Sequence, residues 1–151
     1  MSRSLVQNST VSFGAALVAA GSSIDNNSSR FDMLGFKNVV FITTITDSAA
    51  TGVATLTIQS NSADSDTGMT GITGSSAAVT CTVDDDLNGT LLIVEAENVL
   101  ERYVQGTRVS ATANIAYGEI ICIRHNGMGR GQKVPLTAHS TVSTQDVQVD
   151  A

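Results

Sequence analysis

Phe36-Lys-Asn-Val-Val-Phe-Ile-Thr-Thr-Ile-Thr-Asp47 and, a few residues later, Val53-Ala-Thr-Leu-Thr-Ile-Gln-Ser60 decide the fold class of this chain. In the second stretch Leu56 and Ile58 alternate with Thr55, Thr57 and Gln59. That is the two-residue period of a strand with one buried face and one hydroxyl-bearing face. In the first, Val39, Phe41 and Ile45 share one face, while Val40 and Ile42 occupy the other beside Thr44 and Thr46. A strand apolar on both faces at its start predicts cover on both sides, from a second sheet or from a partner.

The same rhythm extends outward from these two stretches. Ala77–Val83, Arg108–Ile115 and Glu119–Arg124 read as further strands, and the block Leu91-Leu-Ile-Val94 places a core strand within Leu87–Glu95. Asp47–Gly52 reads as a loop, and Asn61–Ser75, rich in Ser, Asp, Gly and Thr, as a long one. Glu97–Gln105 fits either a helical turn or a strand entered through Arg102-Tyr-Val104. Short strands at this spacing, without a helical period, predict an all-β fold: an antiparallel β-sandwich of jelly-roll or Greek-key type. The expected organisation is an N-terminal arm with a possible first strand (1–20), a β-sandwich domain (21–125) and a C-terminal arm (126–151).

Composition narrows the function classes. The 151 residues carry a net charge of −6 with only 8 Lys and Arg, scattered along the chain, so nucleic acid and anionic membranes are poor partners. No apolar run approaches the roughly 18 residues that span a bilayer. Phe13–Ala20 has the small, apolar look of a signal-peptide core, but no compact basic segment precedes it. Cys81 and Cys122 lie within strand-like stretches and read as two buried thiols, with a cross-strand disulfide as the alternative.

The candidate chemistries are weak. Asp84-Asp-Asp86, with Asp64 and Asp66, has oxygens enough to attract calcium, but an acidic turn between strands explains the triplet without a metal. His125 and His139 stand apart from any nucleophile elbow. Glu95, Glu97, Glu101 and Glu119 offer carboxylates for glycoside chemistry, but the chain has no Trp to stack a sugar. Gly127-x-Gly129-x-Gly131 reads as a hinge, not a nucleotide loop. The expectation is a non-enzymatic protein with no catalytic residue, cofactor or metal.

Four segments together carry a resemblance: Leu34-Gly-Phe-Lys-Asn-Val-Val-Phe41, Leu56-Thr-Ile-Gln-Ser60, Arg102-Tyr-Val104, and Gly129-Arg-Gly131 with Val134-Pro135. Over residues 20–135 the chain resembles small head proteins of tailed bacteriophages, similar to capsid decoration (cement) proteins. It departs from their pattern at Glu97–Leu100 and in its longer polar tail. The resemblance implies a virion protein on the outer capsid surface that clamps neighbouring major-capsid subunits as a homo-oligomer, a trimer before a dimer. It implies contacts through the two arms, with Arg3, Leu5, Val6, Arg130, Lys133, Val134 and Pro135 as partner-binding residues. Alternatives are a tail tube, head–tail connector or other virion subunit, and a calcium-dependent carbohydrate-binding or adhesin module.

Overall fold

The computed structural model describes residues 6–126 and the backbone of 137–143. Among them the regular structure is strand throughout, apart from one 3-10 turn, and no α-helix is present. After a 3-10 turn at Val6–Asn8 come β1 (Ser9–Ala15), β2 (Val18–Gly21), β3 (Asp25–Asn27), β4 (Phe31–Asp32), β5 (Asn38–Ser48) and β6 (Val53–Asn61). Then follow β7 (Thr70–Thr80), β8 (Leu91–Glu97), β9 (Tyr103–Ala111), β10 (Ile115–His125) and β11 (Thr137–Ser143). They form two antiparallel sheets. The first runs β1-β10-β5-β8-β11, with β2 also on β10; the second runs β3-β9-β6-β7, with β4 also on β9.

The sheets share one core. Val39, Phe41 and Ile45 of β5, with Leu92, Val94 and Ala96 of β8 and Ile120 and Cys122 of β10, meet Ala54, Leu56 and Ile58 of β6 and Val104 of β9. Alternation along β6 is clean, with Thr55, Thr57 and Gln59 directed outward as its sequence predicts. Cys81 and Cys122 are free and buried. Burial pushes both thiols up, that of Cys122 to about 12. Gly106 fits a close approach, since a Cβ there would lie 2.7 Å from Cδ1 of Phe41.

Two buried polar side chains tie the sheets together. Tyr117 of β10 crosses the core, where its hydroxyl donates to the Val109 carbonyl and accepts from the Thr55 N–H at 3.1 Å. Arg108 of β9, fully buried, reaches the other way. Its guanidinium donates to the carbonyls of Gly118 and, at 2.9 Å, Ala16, and to Oδ1 of Asn26. The pairing of β10 with β5 shifts register between Tyr117 and Ile120, next to that Gly118 carbonyl.

Both segments expected as arms contain strands, β1 being the possible first strand expected within 1–20, and the bounds of several turns and loops change. In 1–20, β1 and most of β2 pair with β10; in 126–151, β11 pairs with β8 from Thr137↔Glu97 to Ser143↔Leu91. Strand edges supply the reason: β10 and β8 each offer a row of N–H and C=O groups that a modestly apolar Ser/Thr/Val segment satisfies. The loop expected over Asn61–Ser75 shortens to residues 62–69, because β7 begins at Thr70. Glu97 ends β8 and residues 98–100 form a turn, not a helix, with Asn98 at φ 53 and its N–H on Oδ1 of Asn38. Leu87–Thr90 is also a turn, leaving β8 to start at Leu91.

Candidate docking face

The outward face of the first sheet is apolar across four strands. Partners in an antiparallel ladder share a face, so the registers can be read straight across. One row runs Phe13↔Ile121↔Ile42↔Ile93, from β1 through β10 and β5 to β8. The adjacent row runs Val11↔Ile123↔Val40↔Glu95, and Leu91 opposite Thr44 extends the patch. The inner members are half-buried by one another, whereas Val11 and Phe13 on the outermost strand are 62% and 60% exposed. The sequence predicted cover on both faces of β5. The second sheet covers Val39 and Phe41; Val40 and Ile42 instead belong to this open face.

The outward face of the second sheet has the opposite character. Thr55, Thr57, Gln59 and Asn61 of β6 stand in register with Val109, Thr107, Gln105 and Tyr103 of β9. On the other side, Thr57 meets Ser76 of β7. Their groups bond laterally: Thr57 Oγ1 lies 3.0 Å from Ser76 Oγ, and Thr107 donates to Asn27 at 2.8 Å. Such a face is content against water. The first sheet's face is the apolar one of the two, which makes it the candidate contact surface among the described residues.

Charged groups sit around the ends of the sandwich. Arg30 grips Asp64 and Asp66 at 2.6 and 2.7 Å, fixing the 62–69 loop, and Asp66 also accepts from Gln105. The Arg30 guanidinium holds the Asp66 carboxyl below its ordinary range. Arg102 pairs with Asp32 at 2.9 Å and lowers it likewise. Arg124 packs over the rings of Phe31 and Phe36 and donates to the Asp32 carbonyl. At the edge of the docking face, Nε2 of His125 lies 3.1 Å from Oε1 of Glu95.

The acidic triplet folds onto its own turn. Asp84 accepts from the Ala50 N–H, Asp85 from the Asn88 amide, and Asp86 from the Cys81 thiol, the Thr82 hydroxyl and the N–H groups of Thr82 and Val83. Those donors hold Asp86 well below the usual carboxylate range. No group of three or more His, Cys, Asp and Glu able to hold a metal occurs among the described residues.

Of the residues expected to bind a partner, Val6 begins the 3-10 turn. Arg3, Leu5, Arg130, Lys133, Val134 and Pro135 lie outside the described residues. Sequence reasoning passed over Val11, Phe13, Ile121, Ile123, Leu91 and Ile93 as a set. The signal was present: consecutive apolar residues in Leu91–Val94 and Ile120–Ile123, where a strand with one wet face needs only every second one. A scan against protein-family models and a search of curated proteins find no match to this chain.

Proposed function

We propose that this chain is a structural virion protein: a capsid decoration protein, of jelly-roll or Greek-key type, that binds the outer surface of an icosahedral phage head and clamps neighbouring major-capsid subunits. One observation carries the reading, the row Phe13–Ile121–Ile42–Ile93 on a sheet face that no other described element covers. With strands about 4.8 Å apart and residues about 3.4 Å along each, the two rows and Leu91 span roughly 300 Å². A stable pairwise interface removes about 800 Å² per partner. The patch therefore suits the centre of a contact that gains strength by repetition, as when an oligomer is seated on a repeating lattice. The hydroxyl-rich face of the second sheet then looks outward to solvent, and the negative net charge avoids competition from nucleic acid.

This geometry favours decoration over the other structural readings. A tail-tube subunit would call for a long insertion loop, and the loop here spans only residues 62–69 and is held by Arg30. A calcium module was suggested by Asp84–Asp86, whose carboxylates are engaged by their own turn.

The test is co-sedimentation with undecorated capsids, comparing wild type with the double variant Val11→Ser, Phe13→Ser. Both side chains are more than half exposed, so the fold should lose less than about 1 kcal/mol. Capsid affinity should fall at least tenfold. Unchanged affinity in a variant of unchanged melting temperature would remove this face from the contact and the proposal with it.

A further inference from the structure

Carboxylates edge the apolar rows of the first sheet's outward face. Side chains alternate along a strand, so Glu95 and Glu97 share the face of Leu91 and Ile93 on β8, and Glu119 shares that of Ile121 and Ile123 on β10. Glu97 stands beyond Glu95 at one end of the patch, and Glu119 beyond Ile121 towards the other. His125, 3.1 Å from Glu95, serves that carboxylate. Among the described residues neither Glu97 nor Glu119 forms an ion pair. The described cations are placed elsewhere. Arg108 is buried in the core, Arg30 and Arg102 hold aspartates, and Arg124 turns to the opposite side of β10 to pack on Phe31 and Phe36. Lys37 precedes β5, off the strand rows. By contrast β6 and β9, the central strands of the second sheet, contain no carboxylate at all.

We propose that this face docks on a protein surface that is basic around an apolar centre, with Lys or Arg side chains placed to meet Glu97 and Glu119. The inference rests on the docking role proposed for the face and names the chemistry of its partner. Charge complementarity carries it: an apolar patch edged by unpaired carboxylates matches a partner of the opposite sign, and like charges across a contact are costly. A second copy seated face to face is the wrong occupant on the same ground. It would bring two acidic rims together in chains that each carry a net charge of −6. The two kinds of residue divide the work. Val11, Phe13 and their row supply the desolvated centre that sets how long the contact lasts, while the rim carboxylates steer the approach and suppress acidic competitors.

The test is the rate of association with undecorated capsids, measured by surface plasmon resonance at about 10 mM and about 150 mM salt, where charges are screened over about 30 Å and about 8 Å respectively. Wild type should associate about tenfold more slowly at the higher salt. The double variant Glu97→Gln, Glu119→Gln should lose most of that salt dependence. Glu97→Lys, Glu119→Lys should associate about tenfold more slowly than wild type at low salt, with the gap narrowing at high salt. A gap that closes with salt is electrostatic, which a folding defect would not imitate, and a circular-dichroism melt of each variant checks the fold directly. Salt-independent association of wild type, or a lysine variant that associates at least as fast as wild type at low salt, would overturn the basic partner. The docking role would still stand if Val11→Ser, Phe13→Ser lost affinity in the same assay. No binding by wild type, or undiminished binding by Val11→Ser, Phe13→Ser, would overturn the docking role and the basic partner with it.

Discussion

Replacing Arg108 by methionine removes a buried cation while keeping most of its volume, and the outcome depends on two opposing terms. The guanidinium makes three charge-assisted hydrogen bonds, to the carbonyls of Gly118 and Ala16 and to Asn26, and lies 5.7 Å from the centre of the Tyr117 ring. At about 1.5–3 kcal/mol each, these bonds would contribute at least about 4 kcal/mol. Against this stands the cost of burying the charge, several kcal/mol when no anion compensates it. The partners given by the structure are neutral, Nε makes no hydrogen bond, and burial lowers the pKa of the group. The orphaned acceptors also fare unequally. Gly118 keeps the Thr43 hydroxyl at 3.2 Å, and Ala16 lies at the surface where water can serve it. The balance leaves a net loss of about 2 kcal/mol for Arg108→Met. Arg108→Ala adds a cavity and should lose about 4 kcal/mol. Urea titration followed by circular dichroism measures both. In heat, the methionine variant should melt about 4–8 °C lower. Because Arg108 ties the β1–β2 connection and β3 to the core, amide exchange should quicken there first, leaving β5 and β6 protected. A methionine variant as stable as wild type would mean that desolvation cancels the hydrogen bonds. The guanidinium would then contribute nothing net to holding the edge that carries Val11 and Phe13.

Two further tests probe the core and the acidic turn. Gly106→Ala puts a Cβ 2.7 Å from the Phe41 ring between packed sheets, and should lower stability by about 1–3 kcal/mol. Wild-type stability in the same urea titration would show that the ring can yield. Asp32, Asp66 and Asp86 all have carboxyls lowered in the fold, by Arg102, by Arg30 and by the Cys81 and Thr82 donors respectively. Each depressed pKa gives stability that is full above the ordinary carboxylate value, near 4, and is lost as pH falls through the folded value. Asp86→Asn should therefore melt below wild type at pH 7, with the gap narrowing towards pH 2; a gap constant over that range would deny Asp86 its role as an ionised acceptor.

The sequence was most informative where period and burial coincide. In β6 the apolar positions Leu56 and Ile58 face the core and the threonines face out, as alternation requires. In the second half of β9 the sequence alternates as cleanly, but the faces are exchanged: Arg108 and Ser110 are buried and Val109 is exposed. Alternation reports that two faces exist, not which one is buried. Here the interior supplies the polar groups that make burial of Arg108 possible, and those lie on β3, β10 and the β1–β2 connection, far away in sequence. The same limit applies to β1 and β11. Neither has a strong apolar period, and each is a strand because a distant strand presents an unpaired edge.

The difference between the two outward faces gives the molecule a direction. A sandwich needs one apolar face per sheet; β5, β8 and β10 each carry apolar residues on both, and β1 adds Val11 and Phe13 in line with them. Four strands matching across one face is not incidental, because each extra apolar residue left against water is an aggregation hazard that a freely soluble protein avoids. The second sheet shows that this chain can do otherwise, with threonine and amide groups at the equivalent outward positions of β6 and β9. In the proposed role, contact through the first sheet would orient every copy the same way, with the outward face of the second sheet away from the contact. A patch of roughly 300 Å² is too small to hold a single copy firmly, so occupancy must come from several patches engaged together. Under the proposed decoration role that requirement is met when copies are joined to one another and their target repeats at a matching spacing, so on that proposal the oligomeric state and capsid binding test the same surface.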